Sequence, residues 1–371
     1  MATATPPSSE QQALLALREA IDAIDDRIHD LLMERIERVL EVGHLKSVQG
    51  NVSPDPSFYR PEREASIHRR LEARHRGPLP KAALHRIYRE IISASLSLEK
   101  RLTVAYLGPE HAFAHLAALK QFGSSCHLRP TVSIDELFHE VEVNRADFGV
   151  APVENSNEGM ISHTLDRFVD SPLSIRGEIY VEVSYAVFSG VGSTGAVRLL
   201  LGTRLAMTRC RGWIERHMPG APQRVVESMA EALRVAREES GVAIVAPMAL
   251  AEVLGCEILA EHIEDRAEEI RFLVIGRGEP TRSGRDKTSL MFTFRDQPGF
   301  LHQVLGIFAK RQINLTRIES RPSGRQAWEY LFFLDLSGHL GDPPVAGAME
   351  ELAQMPGVTA RILGSYPVRA L

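Results

Sequence analysis

Arg35 stands where the pattern of this chain calls for a hydrophobe. Leu14, Leu17, Ile21, Ile24, Ile28 and Leu31 recur alternately three and four apart, the apolar seam of a helix packed on other helices. The next seam position is Arg35, and a guanidinium there must be paired or must face a bound anion. Lys46 follows on the same helix, within about 20° of Arg35 around the axis and roughly 16 Å along it. Two such side chains, each reaching about 6 Å, close on a small dianion between them. Arg18 is roughly 25 Å from Arg35 along the axis, so it reaches that pocket only from a second, antiparallel chain. Taken singly, Arg18 and Lys46 read as a solvated cationic face; Arg35 in the seam does not. Ser95 and Glu99, four apart, share a face of another helix.

The elements that position these groups are helical up to residue 100. Residues 1–9 read as a frayed tail. No Gly or Pro interrupts residues 14–42, so one helix of roughly 30 residues runs about 45 Å. Residues 50–56 are a turn-rich break. A second helix is expected over 60–74, with Pro61 at an allowed first-turn position. After Gly77-Pro78-Leu79-Pro80, a third covers 81–100, with Leu84, Ile87, Ile91, Leu96 and Leu98 as its apolar positions. Three helices, one far longer than the others, cannot enclose a core alone, and a helical dimer is the economical solution.

From residue 103 the pattern changes to strands alternating with helices. Strands are expected over 103–107, 148–153, 183–188, 242–245 and 272–275, with a helix over 112–122. That order argues for an α/β region in two lobes. Ligands of such folds sit at the carboxyl ends of strands, where Gly108-Pro109 and Glu154-Asn155-Ser156 fall; no phosphate-binding loop follows any strand. Residues 276–287 (GRGEPTRSGRDK) read as a polar, Gly-rich linker. Beyond it come a strand (288–294), a helix (300–311), strands (313–320 and 328–336), a helix (346–353) and a strand (360–363). That β-α-β-β-α-β order is ferredoxin-like.

Composition excludes several classes. The 371 residues suffice for two or three domains with proper cores. A net charge of −5 supports neither a nucleic-acid surface nor a polybasic membrane anchor. Cys126, Cys210 and Cys256 have no metal-ligand spacing, and so few cysteines suit a reduced compartment. The start MATATPPSSE has neither the apolar core nor the basic residues of a signal peptide, and residues 242–254 are too short to span a bilayer. The expected location is the cytoplasm.

The strings LLALREAID, LLMERIERVLEVGHLK, YRPERE, YLGPE, PVENS, RFLVIG, LTRIESRP and GSYP together resemble the P-protein family, fused chorismate mutase–prephenate dehydratases of phenylalanine biosynthesis. The resemblance covers nearly the whole chain. It implies an all-α intertwined helical chorismate mutase dimer over 10–100, then a two-lobed, periplasmic-binding-protein-like α/β dehydratase domain over 102–280. A ferredoxin-like ACT regulatory domain follows over 287–371. It also implies a homodimer or higher oligomer acting on chorismate and prephenate, with no metal and no cofactor. Carried over position by position, Arg18 is lent by the other subunit, while Arg35 and Lys46 bind substrate within one chain; Arg63, Glu64, Ser95 and Glu99 complete the set. Rearrangement of chorismate needs its two carboxylates held and charge on the breaking ether oxygen stabilised. Arg18 and Arg35 suit the carboxylates, Lys46 the ether oxygen, and Glu64 a substrate hydroxyl. Glu99 stands where some members have Gln and donates to that oxygen only when protonated. Arg60 stands where some members have Asp.

The dehydratase resemblance keeps the scaffold and loses the chemical groups. Before Arg271-Phe272 the family has its catalytic threonine, and this chain has Ile270. Family Gly-Thr-Phe-Ser is His111-Ala112-Phe113-Ala114, family Ser-His-x-Gln is Gly202-Thr203-Arg204-Leu205, and a threonine after PVENS is Asn157. Dehydration of prephenate expels hydroxide, a poor leaving group that needs a proton donor. Glu154, Asn155, Ser156, Arg271 and Phe272 remain as expected prephenate-binding positions. Three outcomes are open: dehydration with a substitute acid such as His111, decarboxylation that keeps the hydroxyl, or ligand sensing without catalysis. In the ACT domain the expected phenylalanine effector site comprises Gly299, Leu301, Glu319, Ser320 and Arg321. Phe300 replaces an alanine there, and either fills that pocket or points into the core.

Overall fold

The computed structural model describes residues 9–48, 59–294, 297–322 and 330–368. Contacts divide the chain into two units. The first comprises residues 1–59, 76–102 and 123–126; the second comprises 60–75, 103–122 and 127–371. The expected tail, the break over 50–56, Trp328 and the Lys46 side chain lie outside the described residues.

In the first unit, α1 (Ser9–Val48) packs on α3 (Lys81–Glu99). α1 has 40 residues and continues through Gly43. Leu14, Leu17, Ile21, Ile24, Ile28 and Leu31 are 49–63% exposed, so the described residues of the single chain leave the seam largely uncovered. α2 (Pro61–Arg74), with Pro at its first turn, belongs to the second unit.

The second unit holds three sheets. One joins β1 (Thr103–Leu107), β2 (His127–Thr131), β3 (Phe148–Asn155), β4 (Gly159–Met160), β5 (Ser174–Glu182) and β11 (Glu269–Gly276) in the order β2-β1-β3-β11-β5, with β4 on β3. β1, β2 and β3 are parallel, whereas β11 runs antiparallel between β3 and β5. α4 (Phe113–Phe122), α5 (Ile134–Glu142) and α6 (Ser162–Asp170) cover this first lobe. β3 is buried along almost its whole length, as a parallel strand covered on both faces must be. Ser133 caps α5 by accepting from the Glu136 N–H at 3.1 Å, while the Glu136 carboxylate takes the Val132 N–H at 2.7 Å; the reciprocal pair fixes where the helix starts.

The second lobe has strands β6 (Tyr185–Ser189), β7 (Leu199–Thr203), β8 (Gln223–Val226), β9 (Val242–Pro247) and β10 (Glu257–Glu261), in the order β10-β6-β9-β7-β8. Its helices are α7 (Arg204–Arg209), α8 (Arg211–His217), α9 (Met229–Glu238) and α10 (Ala251–Leu254). The third sheet, β13-β14-β12-β15, is formed by β12 (Asp286–Phe294), β13 (Leu315–Pro322), β14 (Tyr330–Ser337) and β15 (Thr359–Pro367), with α11 (Phe300–Lys310) and α12 (Pro343–Gln354). This is the expected ferredoxin-like order.

The expected linker ends earlier than the sequence suggests. Asp286 and Lys287 are buried in β12, and Met291, Leu331, Phe333, Leu363 and Tyr366 of the third sheet share one apolar core with Ala151, Leu173 and Ile175 of the first lobe. At Gly364 a Cβ would collide with the Ile175 carbonyl oxygen, so only glycine permits that approach. Among the described residues, no helix is long and apolar enough to cross a membrane.

Candidate active sites

The helical unit joins three of the expected mutase residues. Half-buried Arg35 donates from Nη1 to Ser95 Oγ at 2.5 Å, and Ser95, itself buried, donates to the Ile91 carbonyl at 2.6 Å. The seam position thus holds a guanidinium anchored on α3. Glu99 lies one turn further along α3, over Gly43: a Cβ on that glycine would stand 3.4 Å from the Glu99 carboxyl carbon. Among the described residues, Glu99 Oε2 is buried and has no hydrogen-bond partner. A buried oxygen without a partner is uncommon. Arg18 is exposed on α1. Arg63, exposed, and Glu64, half-buried, lie on α2 in the second unit; α2 packs on β15, and Arg69 donates to the Ser283 carbonyl.

In the α/β region Ile270 pairs in register with Asn155, and its side chain, like that of Phe113, packs against the core of the second lobe. Phe113 meets Tyr185 edge to face at 6.1 Å. Ile270, where the resemblance expects a threonine, is therefore set against apolar side chains of the second lobe. Thr203 caps α7 through the Ala206 N–H at 3.4 Å, Leu205 is exposed, and Ala114 is buried. His111 has φ 66°, a left-handed conformation that non-glycine residues seldom adopt. Its main-chain N–H donates to His115 Nδ1 at 3.1 Å, and the two rings meet edge to face at 5.4 Å. Burial, helped by His111, lowers the pKa of His115.

The motif residues around PVENS are largely engaged in holding the loop. The Asn155 amide donates to buried Glu268, while Asn155 Oδ1 accepts from the N–H groups of Asn157 (2.9 Å) and Glu158 (3.2 Å). Ser156 exchanges two hydrogen bonds with the Glu269 backbone. Glu154 pairs with Arg317 of β13, and Phe272 is buried.

Arg271, an expected prephenate-binding position, is engaged in a buried ionic network. It is 4% exposed and faces the ACT sheet: Nε lies 3.0 Å from Glu178 Oε2, and Nη2 lies 2.7 Å from Asp335 Oδ2 and 3.1 Å from the Tyr366 hydroxyl. Lys287 Nζ donates to both Glu178 oxygens at 2.7–2.8 Å. Burial works against the Arg271 charge, but Tyr366, Asp335 and Glu178 hold the guanidinium protonated far above its ordinary range. Burial and then Asp335 push the Tyr366 phenol well up, and burial with Glu178 pushes Tyr180 up to about 12. Sequence spacing had no way to find this set, since it comes from β5, β11, β12, β14 and β15. Alternation along β11 sets its direction: Ile270 faces the second lobe, so Arg271 faces away from it.

The expected effector residues are divided. Gly299 is the left-handed cap of α11 (φ 79°), and Leu301 is half-buried against the ACT core. Along β13, Arg317, Glu319 and Arg321 share the half-buried face, whereas Ser320 is exposed. Arg321 pairs with Asp166 at 3.0 Å and donates to the Ser162 carbonyl. Phe300 is in the ACT core, its ring 4.7 Å from that of Phe294. Among the described residues, no cluster of His, Cys, Asp or Glu could hold a metal.

Residues 17–100 match the chorismate mutase type II family, 104–280 the prephenate dehydratase family and 288–354 the ACT domain family. A bifunctional chorismate mutase/prephenate dehydratase of Stutzerimonas stutzeri is 40% identical across 98% of this chain and 100% of its own length. The chain belongs to the bifunctional chorismate mutase/prephenate dehydratase family. Another member, from Aquifex aeolicus, is 41% identical over 96% of this chain and 98% of its own. A prephenate dehydratase of Arthrobacter aurescens, solved in complex with L-Phe, is 30% identical with a TM-score of 0.61, covering 72% of this chain and 90% of that one. Within this family the fold is thus a helical mutase domain, a dehydratase domain and a C-terminal ACT domain. Arg209, Glu158 and Glu268, joined across the two dehydratase lobes, were not singled out by sequence, because three separate segments supply them.

Proposed function

We propose that this chain converts chorismate to prephenate in a helical domain over 10–100 that works as a homodimer in the cytoplasm. The observation that carries the reading is Arg35 tied to Ser95, with the orphaned Glu99 Oε2 close by. Arg35 and the other chain's Arg18 hold the two carboxylates, and Lys46 and a protonated Glu99 stabilise the ether oxygen as the bond breaks. Ser95 positions Arg35; Glu64 and Arg63 bind the remaining polar groups. The unpartnered apolar seam of α1 supports a second copy, because six large apolar residues in a row favour burial against a matching helix. No cofactor enters the rearrangement.

The domain over 102–280 takes prephenate, which family members convert to phenylpyruvate, with Glu154, Asn155, Ser156 and Phe272 shaping the site. Its acid step is impaired, because Ile270 is packed among apolar side chains and cannot donate a proton. A missing general acid costs a factor of about 10² to 10⁴ in rate. Decarboxylation without loss of the hydroxyl is the second reading, favoured by that same apolar packing; ligand sensing without chemistry is the third. The ACT domain over 287–371 binds phenylalanine at Gly299, Leu301, Glu319, Ser320 and Arg321, since Phe300 lies in the core instead of that site. Supplying chorismate and identifying the products tests the whole reading. Prephenate should accumulate, with phenylpyruvate or a non-aromatic keto acid formed slowly, after subtraction of spontaneous aromatisation. Absence of prephenate would overturn the mutase assignment. Phenylpyruvate at about 10 s⁻¹, a typical turnover, would show that another acid has taken over, and His111→Ala would then identify it.

A further inference from the structure

The seam between the dehydratase lobes contains a cation that no motif announced. Arg209, at the end of α7 in the second lobe, reaches two carboxylates: Nη2 lies 2.6 Å from Glu158 Oε1 on the β3–β4 turn, and Nη1 lies 3.0 Å from Glu268 Oε2 just before β11. The two carboxylates are unlike. The Glu268 side chain is 4% exposed and also takes the Asn155 amide, so it depends on Arg209 for compensation. The Glu158 side chain is 67% exposed, and an exposed ion pair contributes little to stability. The Nη2 edge of Arg209 is therefore held by a carboxylate that another carboxylate can replace at small cost. The helix that ends in Arg209 contributes Ala206 and Met207 to the same second-lobe core as Tyr185, against which Phe113 and Ile270 also pack, so the cation stands at the end of a helix bordering that apolar wall. Arg271 cannot serve there, since it is locked between the first lobe and the ACT sheet.

We propose that Arg209 is the carboxylate-binding residue of the interlobe site, and that Glu158 occupies its outer edge until a substrate carboxylate displaces it. The assignment rests on the reading of this site as the one that takes prephenate. It makes the site selective for ligands that combine an apolar ring with a carboxylate: the ring meets Phe113, Tyr185 and Ile270, and the carboxylate takes the Nη2 edge in a charge-assisted, forked geometry.

The test is calorimetric titration of prephenate at neutral pH into full-length protein carrying Arg35→Ala, so that product binding at the mutase site does not contribute. Glu158→Gln removes the competitor and should tighten binding a few-fold. Arg209→Gln alone would strand the buried Glu268 charge, so the informative variant is Arg209→Gln with Glu268→Gln, which removes the cation together with the buried charge it compensates. Its affinity should fall roughly ten- to a hundredfold, the worth of a hydrogen bond to a charged group, with the thermal transition confirming that it is folded. An unchanged affinity in the folded double variant, or weaker binding by Glu158→Gln, would overturn the role of Arg209 while leaving the prephenate site standing. No prephenate binding before either change would overturn the prephenate reading itself, and Arg209's part in it.

Discussion

His115 illustrates how a single side chain can carry a pH dependence. It is 7% exposed, stacked near Tyr106 at 5.0 Å, and its pKa is lowered from 6.5 by burial and by His111, with Glu110 acting in the opposite sense. The unfolded chain therefore takes up this proton before the folded one does. Stability is complete above the unfolded value of 6.5 and declines as pH falls from there through the lower folded pKa. His115→Gln, which keeps an acceptor for the His111 N–H, should flatten that decline in urea unfolding measured across the interval; equal slopes would refute the assignment. Ile270 carries a different expectation. Ile270→Thr places a hydroxyl in an apolar seam and should cost about 1–3 kcal/mol. It should restore little phenylpyruvate formation, because Ala112, Ala114 and Leu205 would still lack the family's polar groups and such groups act together. A hundredfold gain from this one change would contradict that argument.

At the scale of elements, α11 and β13 show what the ACT domain's motifs do in this chain. Phe300 opens α11, is 8% exposed, and meets the Phe294 ring at a tilt within the core that Val304, Phe308 and Leu334 share. Phe300→Ala should therefore leave a cavity and lower stability by about 3–5 kcal/mol, rather than open a ligand site. Thermal unfolding with and without millimolar phenylalanine distinguishes the two: a lowered transition with the same ligand shift fits a core role, whereas a ligand shift gained only in the variant fits a filled pocket. β13 presents Arg317 and Arg321 to the first lobe, where they meet Glu154 and Asp166, and β15 adds Arg361, which donates to the Phe168 carbonyl at 2.8 Å. The two edge strands of the sheet thus use cations to fasten it to the first lobe.

At the scale of the whole molecule, the decisive expectation is that the mutase works across a dimer. Arg18 precedes Arg35 by seventeen residues on one helix, too far for both to hold one substrate from the same chain. Chains carrying Arg18→Ala and chains carrying Arg35→Ala should each be nearly inactive. Mixed and allowed to exchange, they should recover activity, because one of the two pockets in each heterodimer would be intact. Heterodimers that form without recovery would exclude a shared site.

Periodicity was enough to establish the long first helix, the strand–helix alternation and the ferredoxin-like order, because local burial patterns repeat at 3.6 or 2 residues whatever the partner element is. Arg35 was legible for the same reason: a cation that breaks an apolar period is visible in one dimension. The lost threonine at Ile270 was legible by resemblance, from the residues beside it. Long-range pairing was not legible. Which way Arg271 points depends on the pleat of β11 and on strands distant in sequence, and its partners Glu178, Asp335 and Tyr366 come from three of them. Phe300 was compatible with either fate until Phe294 and Val304 were seen around it. The Arg209 bridge to Glu158 and Glu268 arises only when two lobes, each with its own core, bring separate segments together. Tertiary structure decided those placements, because ion pairs between distant segments have no period to read.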